Sequence, residues 1–384
     1  MATRRHFLAS TLFAGGGLTA LGAKKAFSVD NPIGKDELAF LRDMLSNPSP
    51  SGYEKPVQKI WAAYAEKFST VTFDTHGNAI GTVNPKGRPR LMLAGHCDEL
   101  GFQVKYINDN GYIFFGAIGG FDQSIIPGRR VRIYTKNGPV AGVIGKGPIH
   151  LMDASTRGKA STIDDVCIDI GSKSKEETVS IVRIGDPVTY TYDFMELRNG
   201  RATARGFDDR LGAFIVAEVL RATAKSKKLA ASVFGVSTVQ EEIGLRGANT
   251  SAFGIDPYVG VAVDVTHATD YPGISKKTVG DIKLGGGAVI ARGPNINPRV
   301  FDLFIEAAEA NNIPYQIEAI PRGTGTDANA IQLTRAGVAT GLISIPLRYM
   351  HTPVETMEFS DVDAIIRLIT AFAERLTADT DLTP

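Results

Sequence analysis

Apolar residues recur along this chain in two alternating rhythms. Over 209–228, Leu211, Ile215 and Val219 return every four positions and predict one face of a helix. A second helix is predicted over 298–312, with proline at its start, and a last one from a Ser360-x-x-Asp363 cap that aligns Ile365, Ile369, Phe372 and Leu376. Residues 32–68 read as helical, broken by the turn cluster Asn47-Pro48-Ser49-Pro50-Ser51-Gly52. Short apolar runs at 90–96, 231–240, 258–265, 315–320 and 337–346 read as strands. Strands alternating with helices predict an α/β fold whose mostly parallel central sheet is covered by helices on both faces.

Over 101–199 the rhythm changes. Strands at 111–115, 130–134, 140–144 and 187–192 are separated by Gly, Asn and Pro turns, with little helical period. This predicts a small inserted all-β domain over 101–199, which splits the α/β domain into 32–100 and 200–378.

Composition then removes whole classes of function. Among 384 residues, 42 basic side chains stand against 41 acidic ones, which excludes a nucleic-acid surface or a polybasic membrane patch. Two cysteines make no disulfide scaffold, and a Cys97–Cys167 bridge is not expected; Cys97 reads as a buried small residue and Cys167 as a filler. The opening Thr3-Arg4-Arg5-His6-Phe7-Leu8, followed by small and apolar residues to Leu21, reads as a twin-arginine-type signal over 1–28. That reading predicts an exported, periplasmic protein. The apolar stretch is too short to cross a bilayer, so no stable membrane span is expected in the mature form.

The chemistry collects where strands end. His96, Cys97, Asp98 and Glu99 follow the first α/β strand, and Asp208 and Asp209 open the long helix. Glu241 and Glu242 follow the strand predicted over 231–240, Asp264 ends the next one, and His351 follows the last. Any one of these is a common helix cap or solvated turn. Together they bring two histidines and several carboxylates to one sheet edge, beyond the carboxyl ends of its strands. Mixed nitrogen and oxygen donors suit zinc, with cobalt or manganese as alternatives. A bridging carboxylate would hold two such ions about 3.5–4 Å apart. The His96-x-Asp98 spacing lets a carboxylate fix the orientation of a ligating imidazole. On an extended strand Glu241 and Glu242 point apart, so one would ligate and the other serve as a base. His76 reads as a turn residue and His150 as structural; His267 is open between a supporting role and none.

Gly-His-Cys-Asp-Glu-Leu-Gly, Phe-Asp-Asp-Arg-Leu-Gly, Gln-Glu-Glu-Ile-Gly-Leu-Arg-Gly-Ala, Val-Asp-Val-Thr-His-Ala and Arg-Tyr-Met-His-Thr-Pro-Val-Glu occur in that order. From about residue 36 to 376 the chain resembles the tetrahedral, or glutamyl-type, aminopeptidases, two-metal exopeptidases some of which were once labelled endoglucanases. The resemblance implies a zinc-aminopeptidase-like core, with His96 and Asp264 at the outer positions of two different metal sites and Asp208 bridging. It further implies Glu242 and His351 as ligands, Glu241 as general base and Asp98 orienting His96. Asp208 rather than Asp209 is taken because the family varies at the second acidic position. The insert then resembles a PDZ-like module that supports dimers and hollow dodecamers, and residues 323–328 a loop near the active site. The implied function is removal of N-terminal residues from peptides by a water activated by two metals. An N-acyl amino acid amidase or deacylase on the same core is one alternative. A peptidase-like binding protein whose site has lapsed is another. A glucanase would leave both histidines without a role.

Overall fold

The computed structural model describes residues 31–153 and 157–384, so the segment 1–28 read as a signal lies outside the described residues. At its centre is an eight-stranded sheet. Across it run Thr70–Phe73, Ala79–Val83, Ser232–Thr238, Arg90–His96, Val259–His267, Ala339–Leu347, Ala288–Arg292 and Tyr315–Ala319. The four strands from Ser232–Thr238 to Ala339–Leu347 are mutually parallel, as is the outer pair Ala288–Arg292 and Tyr315–Ala319. The other three pairings are antiparallel. The sheet is therefore mixed, with four of its seven pairings parallel and three antiparallel. One cause is an edge hairpin whose turn is closed by Asp74, its carboxylate accepting the N–H groups of Gly77 and Asn78 at 2.8 and 2.9 Å. His76 sits in that turn, as its neighbours predict.

The helix Phe207–Ala224 lies against this sheet, buried on almost every side. Its backbone touches the strand Arg90–His96 directly. A Cβ on Gly95 would sit 2.4 Å from the carbonyl carbon of Gly212, and one on Gly212 would sit 2.5 Å from the carbonyl oxygen of Val263. Only residues without side chains permit that approach. Trp61 locks the helix from the other face, its indole N–H donating to Ala213 O at 2.8 Å. The last helix, Phe359–Arg375, joins the same core by stacking Phe372 on Phe304, with ring centres 4.1 Å apart. The predicted Ser360–Asp363 cap does not form. The Ser360 hydroxyl donates to Glu358 at 3.1 Å, and Asp363 accepts from Arg367 at 2.9 Å, one turn on.

The insert closes into a six-stranded barrel in the order Gly101–Ile107, Ile113–Ile118, Cys167–Asp169, Gly138–Gly145, Arg130–Thr135 and Pro187–Tyr190. Phe102, Ile133, Ile168 and Val188 fill it, forming a core separate from that of the sheet and helices. Its first and last strands are neighbours, with Phe102 opposite Val188. The chain therefore leaves the α/β layer and returns to it at nearly one point. A three-stranded antiparallel sheet of Met195–Glu196, Arg201–Ala204 and Glu355–Glu358 receives it there.

A buried ion cluster fastens this junction. Glu99 accepts from Arg205, from Arg210 at 2.5 Å and from the Ser49 N–H at 3.1 Å, and Arg210 is wholly buried. Burial works against a charge on Glu99, but the two guanidinium groups hold its carboxyl below the usual range. Glu99→Ala would leave two unpaired buried cations. The expected loss is about 3–5 kcal/mol of unfolding free energy, read as a lower urea midpoint at unchanged slope. A loss under about 1 kcal/mol would show the cluster to be energetically neutral.

Candidate metal centre

Three parallel strands end side by side and set the position of the first ligand groups. His96 ends Arg90–His96, Asp264 lies near the end of Val259–His267, and Glu241 and Glu242 follow Ser232–Thr238 by a short turn. Asp208 stands at the head of the long helix, where its own φ/ψ and those of Asp209 are not yet helical. His351 follows the strand Ala339–Leu347 in a turn whose Tyr349 and His351 take positive φ.

Asp208 lies between the two imidazoles. Its Oδ1 is 3.3 Å from His96 Nε2 and its Oδ2 is 3.2 Å from His351 Nε2. Glu241 Oε2 stands 3.7 Å from His96 Nε2, and Glu242 Oε2 stands 4.0 Å from His351 Nε2. The ligand atoms of His96, Asp209 and Asp264 lie within 4.8 Å of one another, as do those of His96, Asp208 and Glu242. The resemblance puts His96 and Asp264 in different metal sites; in the fold their ligand atoms lie within 4.8 Å of each other, on strands that are parallel neighbours.

The turn carrying Glu241 and Glu242 differs from an extended strand. Pairing ends at Thr238, Gln240 takes a φ of 55°, and the N–H groups of Glu241 and Glu242 both point back at Asp98, at 3.1 and 3.2 Å. The Ser51 hydroxyl donates to the same carboxylate at 2.7 Å. Asp98 Oδ1 also lies 3.4 Å from His96 Nδ1, and the Asp98 carbonyl oxygen 3.1 Å from it. One carboxylate thus faces the imidazole and organises the neighbouring turn.

Residues to which the sequence assigned no role complete the surroundings. Asp209 accepts the His96 N–H at 3.1 Å and the Gly212 N–H at 3.0 Å. Glu355 accepts the Asp208 N–H at 3.1 Å and the His351 N–H at 2.9 Å, tying two distant ligand positions to one side chain. Its place four residues after His351, inside the same motif, was the available signal. From the loop 323–328, Asp327 is buried and accepts from the Thr238 hydroxyl at 2.6 Å. His267 is exposed and belongs to neither ligand group. His150 is exposed in a short turn of the insert. Cys97 is buried, Cys167 partly so, and both are free.

Crowding like charges out of water has a visible electrostatic result. Burial, reinforced by neighbouring carboxylates and opposed by His96, pushes Glu241 up to about 10, Glu242 up to about 8 and Asp264 up to about 7. Burial also disfavours charge on Asp208, but His351 and His96 hold it well below the carboxylate range. The Asp208 carboxylate in turn lifts His351 to about 9. These side chains fit a pair of divalent cations. They offer two imidazole nitrogens and several carboxylate oxygens, and Glu242 Oε1 is buried without a partner in the chain.

The comparisons point the same way. A family model described as M42 glutamyl aminopeptidase matches residues 77–368. The lysyl aminopeptidase of Pyrococcus furiosus is 37% identical over 352 residues, covering 90% of this chain and 99% of its own. A TET aminopeptidase from a marine sediment archaeon of the Thaumarchaeota superposes with a TM-score of 0.85 at 34% identity, covering 89% and 97% of the two chains. The TET1 peptidase of Pyrococcus horikoshii, which can assemble into a tetrahedron or a large octahedral shell, gives a TM-score of 0.80 at 30% identity, covering 88% of this chain and 100% of its own.

The expectation of twin-arginine export to a periplasmic location is overturned. The relatives are TET-type and lysyl aminopeptidases, and nothing in that likeness indicates a signal peptide or export. The export reading rested on two arginines before a short apolar stretch, a pattern of composition only. The family likeness extends over 352 residues.

The raised carboxyl groups make cation binding a proton-coupled event. Glu242 and Asp264 hold protons below about 8 and about 7, so a cation must displace them as pH falls. Zinc titrated into chelator-treated protein at pH 7 should therefore release protons, and its affinity should weaken steadily from pH 8 to pH 6. Calorimetry in two buffers of different ionisation enthalpy measures this; equal heats in both would show that no proton leaves.

Proposed function

The chain belongs to the M42 glutamyl aminopeptidase family, and on that premise we propose that it is a metal-dependent aminopeptidase that removes residues from peptide N-termini with two divalent ions. The observation that carries this reading is Asp208 between two imidazoles, one oxygen turned to each at 3.3 and 3.2 Å. His96, Asp208 and Asp264 would hold one ion; Asp208, Glu242 and His351 would hold the other. Zinc suits the donors best, with cobalt and manganese as alternatives. When bound, two such ions polarise the scissile carbonyl and make a water acidic enough to ionise near neutral pH.

The chain's own residues supply the remainder. With cations beside it, Glu241 would give up the proton that burial otherwise keeps on it and serve as the general base. Its N–H is fixed on Asp98, and its carboxylate reaches the same imidazole edge as Asp208. It takes the proton of the attacking water on a carboxylate oxygen and passes it to the amine nitrogen of the departing peptide. Asp98 and Glu355 position His96, Asp208 and His351. The surplus of carboxylates favours a substrate that brings a cationic N-terminus. An N-acylated substrate would bring none. The relatives' assemblies support a homo-oligomer built from dimers, with twelve copies expected and the barrel contributing contacts.

Glu241→Gln should keep both ions and lower turnover roughly 10²–10⁴-fold, while Glu242→Gln should lose metal first. Steady-state kinetics with metal analysis separates the two. Metal loss in Glu241→Gln, with full occupancy in Glu242→Gln, would exchange the roles. Chelation should abolish cleavage of free peptides, and N-acetylated peptides should resist throughout. Light scattering should give a multiple of the 41.1 kDa chain mass; a monomer would remove the assembly without touching the chemistry.

A further inference from the structure

The barrel reaches the metal centre through one short loop, Ile118-Gly119-Gly120-Phe121, at the end of the strand Ile113–Ile118. Phe121 anchors it. Its ring stacks on Phe102 of the barrel core with centres 4.5 Å apart, and it lines one cavity with His351, Asp208 and Glu355. The two glycines before it differ. Gly119 takes a φ of 80°, and a Cβ there would sit 2.3 Å from Leu100 Cδ2 and 3.5 Å from Glu242 Cβ, so the fold itself requires a glycine. Gly120 is exposed and takes no positive φ. The atoms nearest an added Cβ are His351 Nδ1 and Cε1, at 3.8 and 3.9 Å, which are ordinary contacts. Neither backbone nor packing calls for a glycine at 120. Its effect is to leave the outer edge of the His351 imidazole open.

That edge is also unemployed. His351 Nε2 is turned to Asp208 and Glu242, whereas its Nδ1 makes no hydrogen bond among the described residues. His96 is held differently, with its Nδ1 3.1 Å from the Asp98 carbonyl oxygen. An imidazole that ligates a cation through Nε2 carries its hydrogen on Nδ1, and that hydrogen ordinarily has an acceptor. At His351 the chain supplies the donor and the room beside it, but no acceptor.

Resting on the aminopeptidase reading above, we propose that the main chain of the departing peptide runs over Gly120, its first carbonyl oxygen past the scissile bond accepting the His351 Nδ1 hydrogen. Charge sets the direction. Glu241, Asp209 and Asp264 gather about His96 and draw the substrate's ammonium group to that side. The loop beside His351 carries no charged side chain from 118 to 121 and suits the neutral amides that follow. The barrel is then one wall of the substrate cleft, and a side chain at 120 would stand in the peptide's path. A water on Nδ1 would satisfy the same hydrogen without any peptide, and the experiment separates the two.

Gly120→Val is assayed with a free tripeptide and with the amide of its N-terminal amino acid, which has no carbonyl beyond the scissile bond. KM for the tripeptide should rise about tenfold with kcat held within about twofold, while KM for the amide stays within about twofold. Zinc content and melting temperature should match the unsubstituted protein. Equal rises for both substrates, or none for either, would overturn the proposal. Should Gly120→Val fail to fold, Gly120→Ala, whose Cβ meets only ordinary contacts, gives the same comparison. Crystals of zinc-loaded Glu241→Gln soaked with the tripeptide give a second readout, a peptide carbonyl oxygen within about 3.2 Å of His351 Nδ1. A water at that point beside a bound peptide would also overturn it. If the unsubstituted protein cleaves neither substrate, the aminopeptidase reading fails and this proposal with it. Cleavage of both, with no discrimination by the variant, removes the path over Gly120 alone.

Discussion

The contact between Gly95 and Gly212 decides where everything else in the site can stand. Two main chains meet there with no side chain between them, a strand coming from the sheet and a helix lying across it. The next residue on the strand is His96, and three residues before the glycine on the helix is Asp209. The separation is then short enough for the His96 N–H to reach the Asp209 carboxylate at 3.1 Å. Asp208, one position earlier, is carried to the imidazole. An alanine at either glycine would push strand and helix apart, and His96 and Asp208 would part with them.

Having brought acids and imidazoles together, the fold has to keep them from relaxing outward. It uses carboxylates that accept main-chain N–H groups. Asp98 takes those of Glu241 and Glu242, Asp209 takes that of His96, and Glu355 takes those of Asp208 and His351. Each supporting acid therefore fixes the backbone under a candidate ligand or base and leaves that residue's side chain free for chemistry. Negative charge is packed tightly enough that several of these acids hold protons until cations arrive. The arrangement is costly for the chain alone and suited to a chain that carries metal.

Much of this was legible in the sequence, for reasons that differ by residue. His96, Asp208, Glu241, Glu242, Asp264 and His351 were visible because rare residue types followed buried strands, and the fold brings all six together. The barrel was visible because its strands are short and separated by glycine and proline. Asp209, Asp327 and Glu355 lay in segments the sequence picks out, but their tasks were hidden, because the groups they hold, the His96 N–H, the Thr238 hydroxyl and the Asp208 N–H, are far away in sequence. The turn at Gln240 was hidden too: alternation along a strand says nothing about where pairing stops. The edge hairpin 70–83 and the strand Ala288–Arg292 carry weak apolar signals and depend on their neighbours, so the sheet read as more parallel than it is.

The adjacency of the barrel's first and last strands bears on the order in which this chain acquires its structure. His96 and Asp209 lie 113 residues apart, and joining the ends of a flexible loop of that length costs about 4 kcal/mol in chain entropy. A barrel with its own core brings its two ends together within itself, at Phe102 and Val188. Once it has closed, the stretch left for the sheet and the long helix to bridge falls to about six residues on one side and about twenty on the other. The contact of His96 with Asp209 thereby becomes a more local one, and residues deep inside the barrel bear on how fast the candidate site forms.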